Sequence, residues 1–197
     1  MMKTPMILAA LSVFALGACQ QSEGEGDIEA LEATISANAP ARATIKDQAG
    51  NDIGEAFLIS TGGGRTLVSA RIWSATPGYH GFHVHGVGQC TATFTSAGGH
   101  FNPTGATHGN HAGDLPVLLV QQDGSAKTIF ETDRFTIGDL LDADGAAFVL
   151  HAAADNYANI STRYFSTTEN VSGADSATLG TGDAGSRVGC GVIERLR

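Results

Sequence analysis

From Ala41 to Ile193 the chain alternates short apolar-rich runs with clusters of glycine, asparagine, aspartate and serine. That rhythm suits strands joined by turns better than helices. It predicts strands over Ala41–Asp47, Gly54–Ser60, Arg65–Ser74, Tyr79–His85, Pro116–Gln121, Ala126–Glu131, Ala146–His151 and Arg187–Ile193. Turn signals such as Gln48-Ala49-Gly50-Asn51, Thr61-Gly62-Gly63-Gly64 and Gln122-Asp123-Gly124-Ser125 separate neighbouring runs. Eight short antiparallel strands imply an all-β sandwich or flattened barrel. Two connections, Gly86 to Leu115 and Ala152 to Ser186, are far longer than hairpins. Loops of that length in a compact domain usually carry function or lack order.

The residues before Ala41 have a different character. Lys3, an apolar run from Met6 to Leu16 and the tetrad Leu16-Gly17-Ala18-Cys19 predict an export leader over residues 1–18, cleaved ahead of a lipidated Cys19. The run is too short to predict a membrane-spanning helix. Residues 19–40 carry Glu23, Glu25, Asp27, Glu29 and Glu32, with no base between Gln20 and Pro40. They are expected to form a solvated tether from lipid to domain, in which Ile28 to Ile35 has the composition of a short helix. The remaining domain spans 41–197.

Charge and cysteines narrow the partners and the compartment. The formal net charge is −9, and loss of Lys3 with the leader takes it to about −10. Such a chain is a poor partner for nucleic acid or anionic lipid surfaces, so membrane attachment is expected through Cys19 alone. A lipid-anchored chain belongs to the cell envelope, facing the periplasm where a cell has two membranes. In that oxidising setting Cys90 and Cys190 are expected to form a disulfide. A bridge closing a loop of about a hundred residues stabilises by roughly 4 to 5 kcal/mol in the chain-entropy model. Met1, Met2 and Met6 all lie in the leader, so the mature chain has no thioether for a blue-copper axial ligand.

Six of the seven histidines and one aspartate form three clusters: His83 with His85; His100, His108, His111 and Asp114; and His151. In a strand, residues two apart share a face, so His83 and His85 project together while Phe82 and Val84 point into the core. His151 closes the buried-looking run Ala147-Phe148-Val149-Leu150 and can approach the same point from another strand. Three imidazoles and one carboxylate suit tetrahedral zinc. If His100 is shared, each of two metals has four ligands, and the all-nitrogen set of His83, His85, His100 and His151 favours copper.

The segments His80-Gly81-Phe82-His83-Val84-His85, Ala97-Gly98-Gly99-His100-Phe101-Asn102-Pro103, His111-Ala112-Gly113-Asp114-Leu115 and Gly182-Asp183-Ala184-Gly185-Ser186-Arg187-Val188-Gly189-Cys190-Gly191-Val192 resemble those of copper–zinc superoxide dismutases, in order, from about Ala41 to Ile193. The resemblance implies an eight-stranded antiparallel Greek-key β-barrel with two long functional loops. It also implies dismutation of the superoxide anion with a copper ion and a zinc ion as cofactors. His83, His85, His100 and His151 would hold copper; His100 would bridge to zinc, completed by His108, His111 and Asp114. Asp155 matches a carboxylate linking His83 to His108, Arg187 the active-site arginine, Thr181 a residue at the channel rim, and Cys90 with Cys190 the family disulfide. His80 is expected to anchor a loop. The resemblance makes His100 and Arg187 the catalytic residues, one carrying a proton and the other holding the anion. Only Gly109 and Asn110 separate His108 from His111, a tighter loop than in many family members. The second long loop has no lysine, so anion steering is expected to rest on Arg187, Arg163 and the metal charges. The competing reading is a non-catalytic copper- or zinc-binding envelope lipoprotein, against which Arg187 counts, because storage needs no anion clamp.

Overall fold

A computed structural model describes residues 23–196. The order of elements is α1 (Glu23–Asn38), β1 (Ala41–Lys46), β2 (Asp52–Gly62), β3 (Arg65–Ile72), β4 (Gly78–His80), β5 (Phe82–His85), β6 (Leu118–Val120), β7 (Ala126–Thr132), α2 (Ile137–Leu140), β8 (Ala147–His151), β9 (Phe165–Ser166), β10 (Val171–Ser172), α3 (Ser176–Thr181), β11 (Arg187–Val192) and β12 (Glu194–Arg195). The main sheet runs β5-β8-β11-β1-β2-β3-β7, β12 pairs with β1, and β4 pairs with β6. Every pairing is antiparallel. The sheet curls into the expected all-β Greek-key barrel. Its interior is filled by alternate residues of the strands, among them Ala43, Ile45, Leu58, Val68, Phe82, Val84, Phe148 and Leu150.

The run expected as one strand over Tyr79–His85 is two, broken at Gly81. There the backbone leaves the ladder: the Gly81 N–H donates to Ala153 O at 2.8 Å and its carbonyl accepts from His151 N at 2.8 Å. This splice ties the start of β5 to the end of β8.

β5 and β8 are buried on both faces. Phe82 and Phe148 stack inside the barrel with ring centroids 5.2 Å apart. On the outer face Ala147 and Val149 pack with Phe94, Ala97 and Cys190 under the first long loop. That loop returns along the open edge of β5: Phe101 N–H donates to Val84 O, Val84 N–H to Gly113 O and Gly86 N–H to Gly99 O, at 2.8 to 3.0 Å. Only glycine fits at 113, because a Cβ there would lie 2.2 Å from Val84 O. The loop is thus stitched to the strand that carries His83 and His85, and metal is not its only source of order.

Two expectations need correction. The second long loop contains the β9–β10 hairpin and α3, whose N-cap Asp175 accepts from Thr178 N. The segment expected as a solvated tether with a short helix over Ile28 to Ile35 is a longer, 16-residue helix from Glu23, and it is packed on the barrel. It docks Ile35 and Ala39 against Phe57, beside Ile59, Leu67 and Ile129, and Glu32 pairs with Lys127 at 3.0 Å. Asp27 and Glu29 are exposed while Ile35 reaches the sheet, so charge composition concealed a docking stripe. β2, β3 and β7 beneath it lie at the far end of the strand order from β5 and β8. Residues 1–22, including the leader and Cys19, lie outside the described residues.

Candidate metal centre

Strand register assembles the site. His83 lies opposite Val149 and His85 opposite Ala147, while Arg187 lies opposite His151. Bridges of His83 with Asp114 and of His85 with His100 then lay the first long loop over this face. Two four-residue cages result: His83, His85, His100 and His151, and His100, His108, His111 and Asp114. In each, one potential ligand atom per residue lies within 4.8 Å of the others. His100 belongs to both.

In the first cage the ring nitrogens divide their tasks. His83 Nε2 is 2.6 Å from Asp155 Oδ2, His85 Nδ1 is 2.9 Å from Gly98 O, and His151 Nδ1 is 3.1 Å from Gly185 O. Each of those contacts fixes a ring direction and leaves the opposite nitrogen to the cage. His83 Nδ1 and His100 Nε2 are buried with no hydrogen-bond partner, and His85 Nε2 lies 3.4 Å from His151 Nε2. Burial without a partner is costly for a polar atom unless a ligand completes it. Burial also lowers the His85 pKa to about 2 and, aided by the nearby His83, that of His151 to about 3. Both rings therefore present neutral lone pairs.

The second cage is tighter. His100 Nδ1 is 2.8 Å from Asp114 Oδ1, and His111 Nδ1 is 3.2 Å from the same oxygen and 3.3 Å from His100 Nδ1. His108 Nδ1 sits 3.2 Å from Asp114 Oδ1 but without hydrogen-bond geometry, so it too is unsatisfied. Four donors at about 2.0 to 2.1 Å from a tetrahedral ion would stand roughly 3.3 Å apart. Most of these separations match, and the residues fit a tetrahedral metal. Asp114 Oδ2 meanwhile accepts from Gly109 N at 2.7 Å and His111 N at 3.0 Å, leaving Oδ1 to the cage. For His108, burial opposes protonation, but Asp114 and Asp155 outweigh it and raise the pKa to about 9. In the same exchange Asp114 and Asp155 are held below the usual carboxylate range, against burial, by their histidine partners.

Asp155 joins the cages: its other oxygen, Oδ1, is 2.7 Å from His108 Nε2. Gly182, at φ 62°, caps this link. A Cβ on it would fall 2.0 Å from Asp155 Oδ1 and 2.2 Å from His108 Nε2. Gly182→Ala is therefore expected to weaken metal retention about tenfold, read by chelator competition.

An open cleft of about 390 Å³ leads to His100 and His151, with Thr181, Asp183 and Arg187 at its sides. Arg187 donates through Nη1 to Phe94 O at 2.5 Å and through Nη2 to Gly98 O at 2.6 Å. Those bonds use two of its five donors and leave others for an anion. The disulfide Cys90–Cys190 is formed, joining the first long loop to β11 next to that arginine. His80 has its ring nitrogens 2.6 Å from His151 O and 2.7 Å from Thr76 O. Arg163 is not at the cleft; its guanidinium lies over the Tyr164 ring, 5.1 Å from the centroid. Asp183 is at the cleft, its carboxylate held by Asn156 at 2.6 Å and Thr178 at 2.8 Å. The segment Gly182-Asp183-Ala184 signalled this position, but its side chain had no assigned role.

The metal-free protein should lose stability on acidification. The unfolded histidines take up protons near pH 6.5, while folded His85 and His151 resist until about 2 and 3. Each then withdraws up to roughly 2 kcal/mol between pH 6.5 and 5. His108, raised in the folded state, contributes fully throughout that window and loses its contribution only as pH rises toward 9. Urea unfolding of the metal-free chain at pH 7 and pH 5 measures the difference, which metal loading should enlarge because ligand protonation competes with binding.

A curled Greek-key barrel here carries two buried donor cages that share one imidazole, a set of residues that could hold two adjacent metal ions. Sequence comparison identifies the lineage: the profile of copper/zinc superoxide dismutase matches residues 53–193, and the chain belongs to that family. A copper–zinc superoxide dismutase of Mycolicibacterium paratuberculosis is 45 % identical over 129 residues, covering 60 % of this chain and 57 % of that protein. One of Mycobacterium tuberculosis is 42 % identical over 139 residues, covering 65 % and 58 %. The chain thus spans under three fifths of these mycobacterial relatives. A SOD-like protein from Bacillus subtilis superposes with a TM-score of 0.60 at 28 % identity, over 77 % of this chain and 96 % of that one.

Proposed function

We propose that this chain dismutates superoxide, with copper held by His83, His85, His100 and His151 and zinc by His100, His108, His111 and Asp114. The observation that carries this reading is the His100 ring, whose Nδ1 meets Asp114 and His111 while its buried Nε2 has no partner. Nitrogen-only donors favour copper in the first cage, and the carboxylate with three imidazoles favours zinc in the second. A copper ion held there would supply one-electron redox chemistry, so that one superoxide could leave as dioxygen and another, with two protons, as hydrogen peroxide.

The remaining work falls to side chains. Arg187 stays charged at any working pH and binds the small anion through the donors not committed to Phe94 and Gly98. His100 Nε2 can serve either copper or a proton but not both; freed from the metal within a turnover, it would take up a proton and pass it to the leaving peroxide, the second proton coming from solvent. Asp155 keeps His83 and His108 turned toward their cages. Asp114, anchored at Oδ2, keeps His100 oriented from the other side. Asp183 opposes anion entry, so steering depends on Arg187 and bound cations.

Elemental analysis and superoxide turnover of the reconstituted protein test the assignment together. One copper and one zinc per chain, with turnover lost on copper removal, is the expected result. Full occupancy of both cages without turnover would instead establish a non-catalytic binding protein. The leader pattern ending at Cys19 supports attachment to the cell envelope, where the enzyme would protect envelope components; mass spectrometry of the mature N-terminus tests that attachment.

A further inference from the structure

Arg134 follows β7 and reaches the outer side of the loop that carries His108, His111 and Asp114. Its Nη1 donates to His111 O at 3.0 Å and more weakly to Gly109 O and Asp114 O, each at 3.4 Å; Nη2 is also 3.4 Å from Gly109 O. None of the ion pairs among the described residues involves it. A cation on the surface of an acidic protein thus engages backbone carbonyls instead of a carboxylate. Those carbonyls belong to Gly109, His111 and Asp114. From within, Asp114 Oδ2 holds the N–H groups of Gly109 and His111. The loop is therefore gripped on both sides, by a carboxylate inside and a guanidinium outside.

The grip matters because the loop is short and has little room. Gly109 has φ 86°, and a Cβ on it would come 2.6 Å from Tyr157 O. With only Gly109 and Asn110 between His108 and His111, the ligand directions depend on what grips the backbone of the loop. A planar guanidinium can hold several carbonyls at once, which a single ammonium cannot.

We propose that Arg134 is a positioning residue for the zinc cage, setting zinc affinity through the backbone of the 109–114 loop without touching a ligand atom. This rests on the zinc assignment made above. Arg134→Met and Arg134→Lys in the full chain test it by chelator competition for zinc and for copper, with cobalt(II) in the zinc cage reporting geometry through its visible spectrum. Arg134→Met is expected to weaken zinc about tenfold, to reduce the tetrahedral cobalt absorption and to change copper affinity less than about twofold. Arg134→Lys should fall between it and the parent, and it carries the comparison alone if the methionine variant fails to fold. Unchanged zinc affinity would overturn the proposal. So would equal weakening of both metals together with a lower melting temperature of the metal-free chain. His111→Ala separates the two levels: if it leaves zinc affinity and the cobalt spectrum intact, the zinc assignment itself fails. If it abolishes them while Arg134→Met has no effect, only the role of Arg134 fails.

Discussion

His151→Ala is expected to reduce superoxide turnover to background while zinc content is retained. His151 closes β8, is almost fully buried, and faces His85 Nε2 across 3.4 Å. Its ring is aimed by Gly185 O, and its backbone N–H remains bonded to Gly81 O whatever side chain it bears. The substitution thus removes one donor from the proposed copper cage without unpicking the strand. The cavity costs on the order of 2 to 4 kcal/mol, less than a domain of this size holds in reserve. No member of the zinc cage lies on β8 and only His100 belongs to both cages, so the two metals should separate in elemental analysis. Turnover followed by superoxide-driven cytochrome c reduction, normalised to copper bound, is the decisive measurement. A variant that keeps turnover at full copper occupancy would remove His151 from the copper ligands.

Much of this centre was legible in the sequence because strand periodicity makes part of it local. His83 and His85 share a face by the two-residue repeat, and His151 ends an apolar run, so their convergence needed only a barrel to bring β5 beside β8. Loop-borne ligands were legible as chemistry but not as geometry. Nothing local shows that Asp114 divides its oxygens between a metal cage and the backbone of its own loop. Residues whose importance comes from long-range proximity were least visible. Gly182 is constrained by His108 and Asp155, and Arg134 reaches back 20 to 25 residues to its carbonyls. A short helix over Ile28 to Ile35 was legible, but the docking of α1 was not, since it depends on apolar residues of β2, β3 and β7 that no local pattern reveals. Arg163 differs in the opposite sense. Its charge and loop suggested a place near the anion's path, but it lies over Tyr164 and does not line the cleft, so its charge can act there only at a distance.

Removing the disulfide by Cys90→Ala is expected to lower stability by roughly 4 to 5 kcal/mol and turnover about tenfold, with zinc affinity little changed. The bridge joins residues 100 apart in sequence. Within the loop it secures, Thr93 and Phe94 adopt φ of 69° and 58°, a left-handed conformation that non-glycine residues hold only when the surroundings impose it. Phe94 O is one acceptor for Arg187; the other, Gly98 O, also receives His85 Nδ1 at 2.9 Å. A relaxed loop would therefore loosen the anion clamp and one copper ligand through the same carbonyl. Urea unfolding of the oxidised and substituted proteins measures the stability change. Turnover in the double variant tests the route: if the bridge acts through the clamp, Cys90→Ala should add little to the loss already caused by Arg187→Met. Independent, multiplying losses would mean that the disulfide supports the site by some path other than Arg187.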